Sequence, residues 1–130
     1  MKNKPKYTFV PTKTLGLQNL VKYAKEHGFR VRCAGYRHSW SDTFSEDNEI
    51  LVSLLGLKEV NNIPNPLATG PTHNANGNEL MSIDILEKPS FSTSGKDCVR
   101  VGAAVTNEAF RRWAIQNNKC ALPMDVILVE

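Results

Sequence analysis

The sequence predicts an α+β fold, on two observations. Apolar residues recur with helical spacing in two places, and each stretch adjoins a segment that alternates with period two. The strand-like runs are also short, and no internal repeat appears. An apolar content of 41% with 22% charge is that of a folded chain rather than a disordered one.

Taken in order, Tyr7–Val10 can supply a first strand. A helix follows Pro11. Thr14 is its expected cap, Leu17, Leu20, Val21 and Ala24 form one apolar stripe, and Lys22, Lys25 and Glu26 fall on the wet side. His27-Gly28 closes it, because Gly tolerates the left-handed backbone that ends many helices. Phe29–Ala34 then alternates as a strand, giving half of a βαβ-type unit. Gly35–Asn48 reads as a loop carrying Trp40 and Phe44, and Glu49–Leu55 as a buried strand. Leu57–Ile63 is a short strand or turn, and Pro64–Asn78, with three prolines and two glycines, is a surface insert.

Leu80–Leu86 and Cys98–Ala103 are further candidate strands, separated by a turn region. A second helix starts after Thr106, its expected cap. Glu108 sits in the positive first turn, and Val105 is placed to staple against Phe110. Phe110, Trp113 and Ala114 are its expected buried face, with Arg111, Arg112 and Gln116 in water, before Asn117-Asn118 ends it. Cys120–Pro123 and Asp125–Glu130 read as extended segments. The first helix is expected to cover a sheet holding the strands near Phe29 and Ile50; the second covers a separate sheet near Leu80 and Cys98.

A net charge of +3, spread from Lys2 to Lys119, argues against a nucleic-acid partner. No apolar run spans a bilayer and no apolar leader is visible, so the default expectation is cytoplasmic, with a secreted parent left open. Cys33, Cys98 and Cys120 are expected to be reduced and packed, since no C-x-x-C or Cys/His spacing supports a disulfide framework or a metal site.

The chemistry is concentrated in Val31–Asp42, V-R-C-A-G-Y-R-H-S-W-S-D. A loop leaving a strand with Gly35, then His38, Ser39 and Ser41, has the parts of an anion cradle. Arg37 or Arg32 could offset a diphosphate's charge, and His38 could bond a phosphate, act as a base, or attack an electrophilic cofactor carbon. A plain strand-end turn at Gly35 with a partly exposed His38 is the competing reading. His27 is best explained as a helix C-terminal group and His73 as a loop residue; Asp42 could orient a cap or a ligand but reads first as an ordinary loop residue.

Four ordered stretches resemble the flavoprotein family of vanillyl-alcohol oxidase and p-cresol methylhydroxylase (PCMH-type): Pro11–Gly28, Val31–Asp42, Ile50–Leu57, and Cys98–Trp113 with Ala121–Pro123 after it. The resemblance implies a non-Rossmann FAD-binding domain, in keeping with the lack of G-x-G-x-x-G. It implies a first subdomain at about 5–63, an insert at about 64–78, and the start of a second subdomain at about 79–130, with the flavin in a crevice between them. The C-terminal half of the domain and the substrate domain, which in the family supplies the general base, would lie outside these residues.

Carried over residue by residue, the FAD contacts are Gly35, Tyr36, Arg37, His38, Ser39 and Trp40, and His38 matches the His that often bonds the flavin covalently. The implied parent oxidises a CH–OH group of a sugar-like or alcohol substrate with oxygen as acceptor. The H-S-x-S-D wording is nearest the sugar-lactone and alditol oxidase branch. The pattern G-x-G-H-S is broken at its second Gly, which is Arg37 here. The alternative from another class is a non-catalytic α+β module without flavin. On either reading these residues by themselves are expected to bind FAD weakly or not at all.

Overall fold

The computed structural model describes residues 3–37, 45–57, 60, 67 and 77–119. They form a mixed α/β structure of two helices and two small sheets, compatible with the α+β expectation. The described residues group into two compact units, one ending at Val60 and one beginning at Leu67.

In the first unit β1 (Tyr7–Phe9), β2 (Val31–Ala34) and β3 (Ile50–Ser53) make a parallel sheet in the order β1-β3-β2. The last strand in sequence therefore lies in the middle. The register places Ile50 beside both Tyr7 and Val31, and Val52 beside Phe9 and Cys33. All four residues of β3 are buried, which is why its sequence is a continuous run, Ile-Leu-Val-Ser, rather than an alternation. Ser53 is tolerated there because its Oγ donates to the Leu55 carbonyl at 2.7 Å.

Helix α1 (Thr14–Glu26) connects β1 to β2 and covers the Ile50/Val52 face. Leu20 and Ala24 pack with those two side chains, flanked by Leu17, Phe29, Val31 and Leu54. Burying a leucine such as Leu20 contributes roughly 1.5–3 kcal/mol. Two details differ from the sequence pattern. Val21 is 57% exposed, because the buried stripe is narrower than its spacing allows. Lys13 occupies the N-cap with no side-chain bond, and Thr14 is the first helical residue. The C-terminus closes as read. Gly28 takes φ +70°, its N–H donates to Lys25 O, and Phe29 N–H donates to Ala24 O at 2.8 Å, a Schellman closure.

In the second unit a 3-10 turn (Glu79–Met81) occupies the first residues of the expected Leu80–Leu86 strand. Asn78 caps it, its side chain accepting from Leu80 N–H at 3.0 Å. β4 (Ile83–Leu86) and β5 (Cys98–Val101) pair antiparallel, with Ile83 opposite Val101 and Asp84 opposite Arg100. Helix α2 (Asn107–Gln116) follows, and Thr106 Oγ1 accepts from Ala109 N–H at 3.1 Å. Of its expected inner face only Ala114 is fully buried. Arg112 does not face water: its side chain is 17% exposed and pairs with Glu108 at 2.5 Å, a contact that their i, i+4 spacing makes available. No helix among the described residues is long and apolar enough to cross a membrane.

Candidate functional site

Because the three strands of the first sheet are parallel, their C-terminal ends share one edge. Three segments leave there: Val10–Lys13 after β1, Gly35–Arg37 after β2, and Leu54–Leu57 after β3. That edge is where parallel sheets place their ligands. Val31–Asp42, the stretch singled out by its composition, begins as β2 and runs off this edge.

Gly35 is exposed at the end of β2 and does not have positive φ. A Cβ built on it would meet nothing within 4 Å among the described residues. Between Gly35 and Arg37 the left-handed residue is Arg37, at φ +63°. Its side chain is half-buried, and its Nε is buried without a hydrogen-bond partner among the described residues. Tyr36 is half-buried between them. His38, Ser39 and Trp40, together with Asp42, Phe44, His73, the crevice between the subdomains and the C-terminal extended segments, lie outside the described residues.

The far end of the loop is held firmly. Asn3 Nδ2 donates to Ser45 O at 2.9 Å, Lys4 N–H donates to Asp47 Oδ1 at 2.7 Å, and Lys6 N–H donates to Glu49 O at 2.8 Å. Asn48 turns the chain with φ +64°, a conformation Asn tolerates. Below this turn lies a cluster of four charges. Arg30 donates through Nε to Glu49 (2.5 Å) and through Nη2 to Glu46 (2.7 Å); Arg32 does the same at 3.0 and 2.8 Å. Two guanidinium and two carboxylate groups cancel. Arg32, a candidate counter-charge in the sequence, is thus paired with acids of its own chain.

Glu49 is the buried member, with its side chain 8% exposed. The Glu46 backbone N–H at 3.0 Å, more than any other group, holds its carboxyl below the ordinary carboxylate value. Burial opposes this, and Arg30 and Arg32 add to it. The same contacts push Arg30 upward, the Glu49 hydrogen bond first. Sequence reasoning missed this cluster. The spacings Arg30-x-Arg32 and Glu46-x-x-Glu49 were visible, but only the β2–β3 register sets Arg30 opposite Glu49.

The other singled-out residues are simpler. His27 Nδ1 lies 2.9 Å from Tyr23 O and its ring stacks on Tyr23, as a helix-end group. Cys33 and Cys98 are free, and Cys33 is exposed rather than packed. Among the described residues no group of three or more His, Cys, Asp or Glu could hold a metal ion. Comparison of the chain with protein-family models, curated proteins and solved structures finds no match, so the functional argument rests on the loop at the end of β2.

Proposed function

We propose that these residues form the front part of a PCMH-type FAD-binding domain in a flavin-dependent oxidoreductase acting on a CH–OH group of a sugar-like or alcohol substrate, with oxygen as acceptor. The observation that supports this reading is the backbone at Arg37. The flavoprotein pattern places a Gly there, and the chain takes a left-handed turn at that residue, φ +63°, although it is not Gly. A left-handed residue within a turn points successive N–H groups the same way, which suits an anion. The loop also leaves the C-terminal edge of a parallel sheet.

On this reading Gly35, Tyr36 and Arg37, continuing into His38, Ser39 and Trp40, hold the cofactor's diphosphate, and His38 is the residue that would tether the isoalloxazine. An orphaned, buried guanidinium nitrogen at Arg37 fits an anionic group. Bound FAD supplies the redox chemistry by accepting the two electrons of alcohol oxidation and passing them to oxygen. The clamp at Ser45–Glu49 fixes where the loop returns, so the loop's two ends are set by the sheet rather than by the ligand.

The test is to purify the native-length polypeptide containing this chain and measure visible flavin absorbance, then flavin fluorescence on the acid-denatured polypeptide. Stoichiometric flavin is expected, and His38→Ala removes the acid-stable fraction. A native-length protein that carries no flavin and gains none on incubation with FAD overturns the reading in favour of a non-catalytic module.

A further inference from the structure

Little buried surface holds the segment Asn3–Phe9 on its sheet. All three residues of β1 are exposed, and β3 is the strand it pairs with. Ahead of β1 the hold passes to a turn. Asn3 Nδ2 donates to Ser45 O, Lys4 N–H to Asp47 Oδ1, Asn48 N–H to Lys4 O, and Lys6 N–H to Glu49 O. Residues 45–49 supply the partner in all four bonds, so the shape of that turn decides whether they form together.

A carboxylate closes the turn. Glu49 N–H donates to Glu46 O, and Glu46 N–H donates back to the Glu49 carboxylate at 3.0 Å. The carboxylates of Glu46 and Glu49 each meet the guanidinium groups of both Arg30 and Arg32. Among the described residues, then, the charged groups against Glu49 are Arg30 and Arg32, with Glu46 beside it. Lys6 and Asp47 are directed elsewhere: the Lys6 ammonium lies over the Phe29 ring, 4.8 Å from its centroid, and Asp47 accepts from Lys4 N–H. Hydrogen bonds to an ionised acceptor are about twice as strong as neutral ones, so protonating both carboxylates weakens every link of the cluster at once. The guanidinium groups keep their charge, and two of them held side by side then repel.

We propose that the Arg30/Arg32/Glu46/Glu49 cluster is an acid-sensitive latch: with both carboxylates neutral, the 45–49 turn opens and Asn3–Phe9 leaves the sheet while α1, β2 and β3 stay packed. The remainder keeps its support because Leu20, Ala24, Ile50 and Val52, flanked by Leu17, Phe29, Val31 and Leu54, form their core without a β1 side chain. Release uncovers the edge of β3 that β1 occupied, an unpaired strand edge of the kind that takes up another extended chain. The cluster holds Glu49 below the ordinary carboxylate value, so the latch is closed above that value and opens as pH falls through the folded one.

Amide hydrogen exchange on the 130-residue chain, corrected for intrinsic rate, reads the latch at Lys6. The rest of the unit is read at Leu54, whose N–H donates to Ala34 O, and at Phe29, whose N–H donates to Ala24 O. Between about pH 7 and about pH 3, protection of Lys6 should fall at least about tenfold, while Leu54 and Phe29 change less than about twofold. In Glu46→Gln/Glu49→Gln, Lys6 should be poorly protected at neutral pH and should not respond to acid. Equal losses at Lys6, Leu54 and Phe29 mean that the unit unfolds as a whole and overturn the inference. Lys6 protection that ignores pH in the parent, or that falls as steeply in the double variant, overturns it too. Glu46→Gln alone changes the more exposed carboxylate and is the milder variant. Its Lys6 protection at neutral pH should lie between parent and double variant, and a profile equal to the parent's at every pH counts against the latch.

Discussion

Gly102 offers the sharpest test of the second unit. Its φ is not positive, so the argument is steric alone. Gly102 N–H donates to Ser82 O and Ala104 N–H to Leu80 O, both at 2.8 Å, which presses the end of β5 against the Leu80–Ser82 backbone. A Cβ added at Gly102 would fall inside contact distance of the Leu80 carbonyl oxygen, 2.6 Å from Leu80 C and 3.1 Å from Ser82 N. These are backbone atoms, which cannot rotate away as a side chain would. Restoring van der Waals distance requires the segments to part by about 1 Å, which forfeits both hydrogen bonds at about 1 kcal/mol each and leaves a carbonyl near buried Leu80 unsatisfied. Gly102→Ala should therefore cost about 2–4 kcal/mol. Gly16→Ala is the matched control. A Cβ there meets nothing within 4 Å, and in a helix the change should stabilise by about 0.5–1 kcal/mol. Urea unfolding of both variants, with hydrogen exchange at the Ala104 amide, measures the contrast. A Gly102→Ala protein within 0.5 kcal/mol of the parent, with Ala104 equally protected, would refute the reasoning.

Further expectations concern the clamp, a cap and a thiol. Glu49 titrates below the ordinary carboxylate value in the folded state, so its contribution is complete above that value and is lost as pH falls through the ordinary range toward the folded one. The urea midpoint of the parent should drop on acidification, whereas Glu49→Gln should start lower at neutral pH and change less; parallel curves would show that the cluster does not carry this dependence. Thr106→Ala removes the oxygen that accepts from Ala109 N–H and should cost about 1 kcal/mol by urea unfolding, whereas Thr106→Asn, which keeps an acceptor, should cost little. Cys33, exposed on an edge strand, should react with a thiol reagent faster than half-buried Cys98; mass mapping of the first modified peptide decides it.

Local structure was legible in the sequence where local physics decides it. The apolar stripe through Leu20 and Ala24, the Gly28 closure, the Thr106 cap and the apolar run of β3 each depend on residues a few positions apart, and all of them form. Two misreadings are local: the helix starts at Thr14 with Lys13 as its cap residue, and Arg112 pairs with Glu108 one turn away instead of facing water. Others involve distant neighbours: the residues before Ile83 wind into a 3-10 turn bonded to Gly102 and Ala104, and Cys33 is exposed on β2.

The sequence by itself determined that helices and strands alternate here and where their ends lie to within a few residues, and it singled out Val31–Asp42 as the stretch with candidate chemistry. Tertiary structure decided the rest. Inserting β3 between β1 and β2 aligns three strand ends on one edge, and it sets Arg30 and Arg32 against Glu46 and Glu49. The backbone at Arg37, where the flavoprotein pattern has its second Gly, is left-handed. Backbone dihedrals and charge pairing depend on what lies across the sheet, and linear spacing does not encode which strand will be the neighbour.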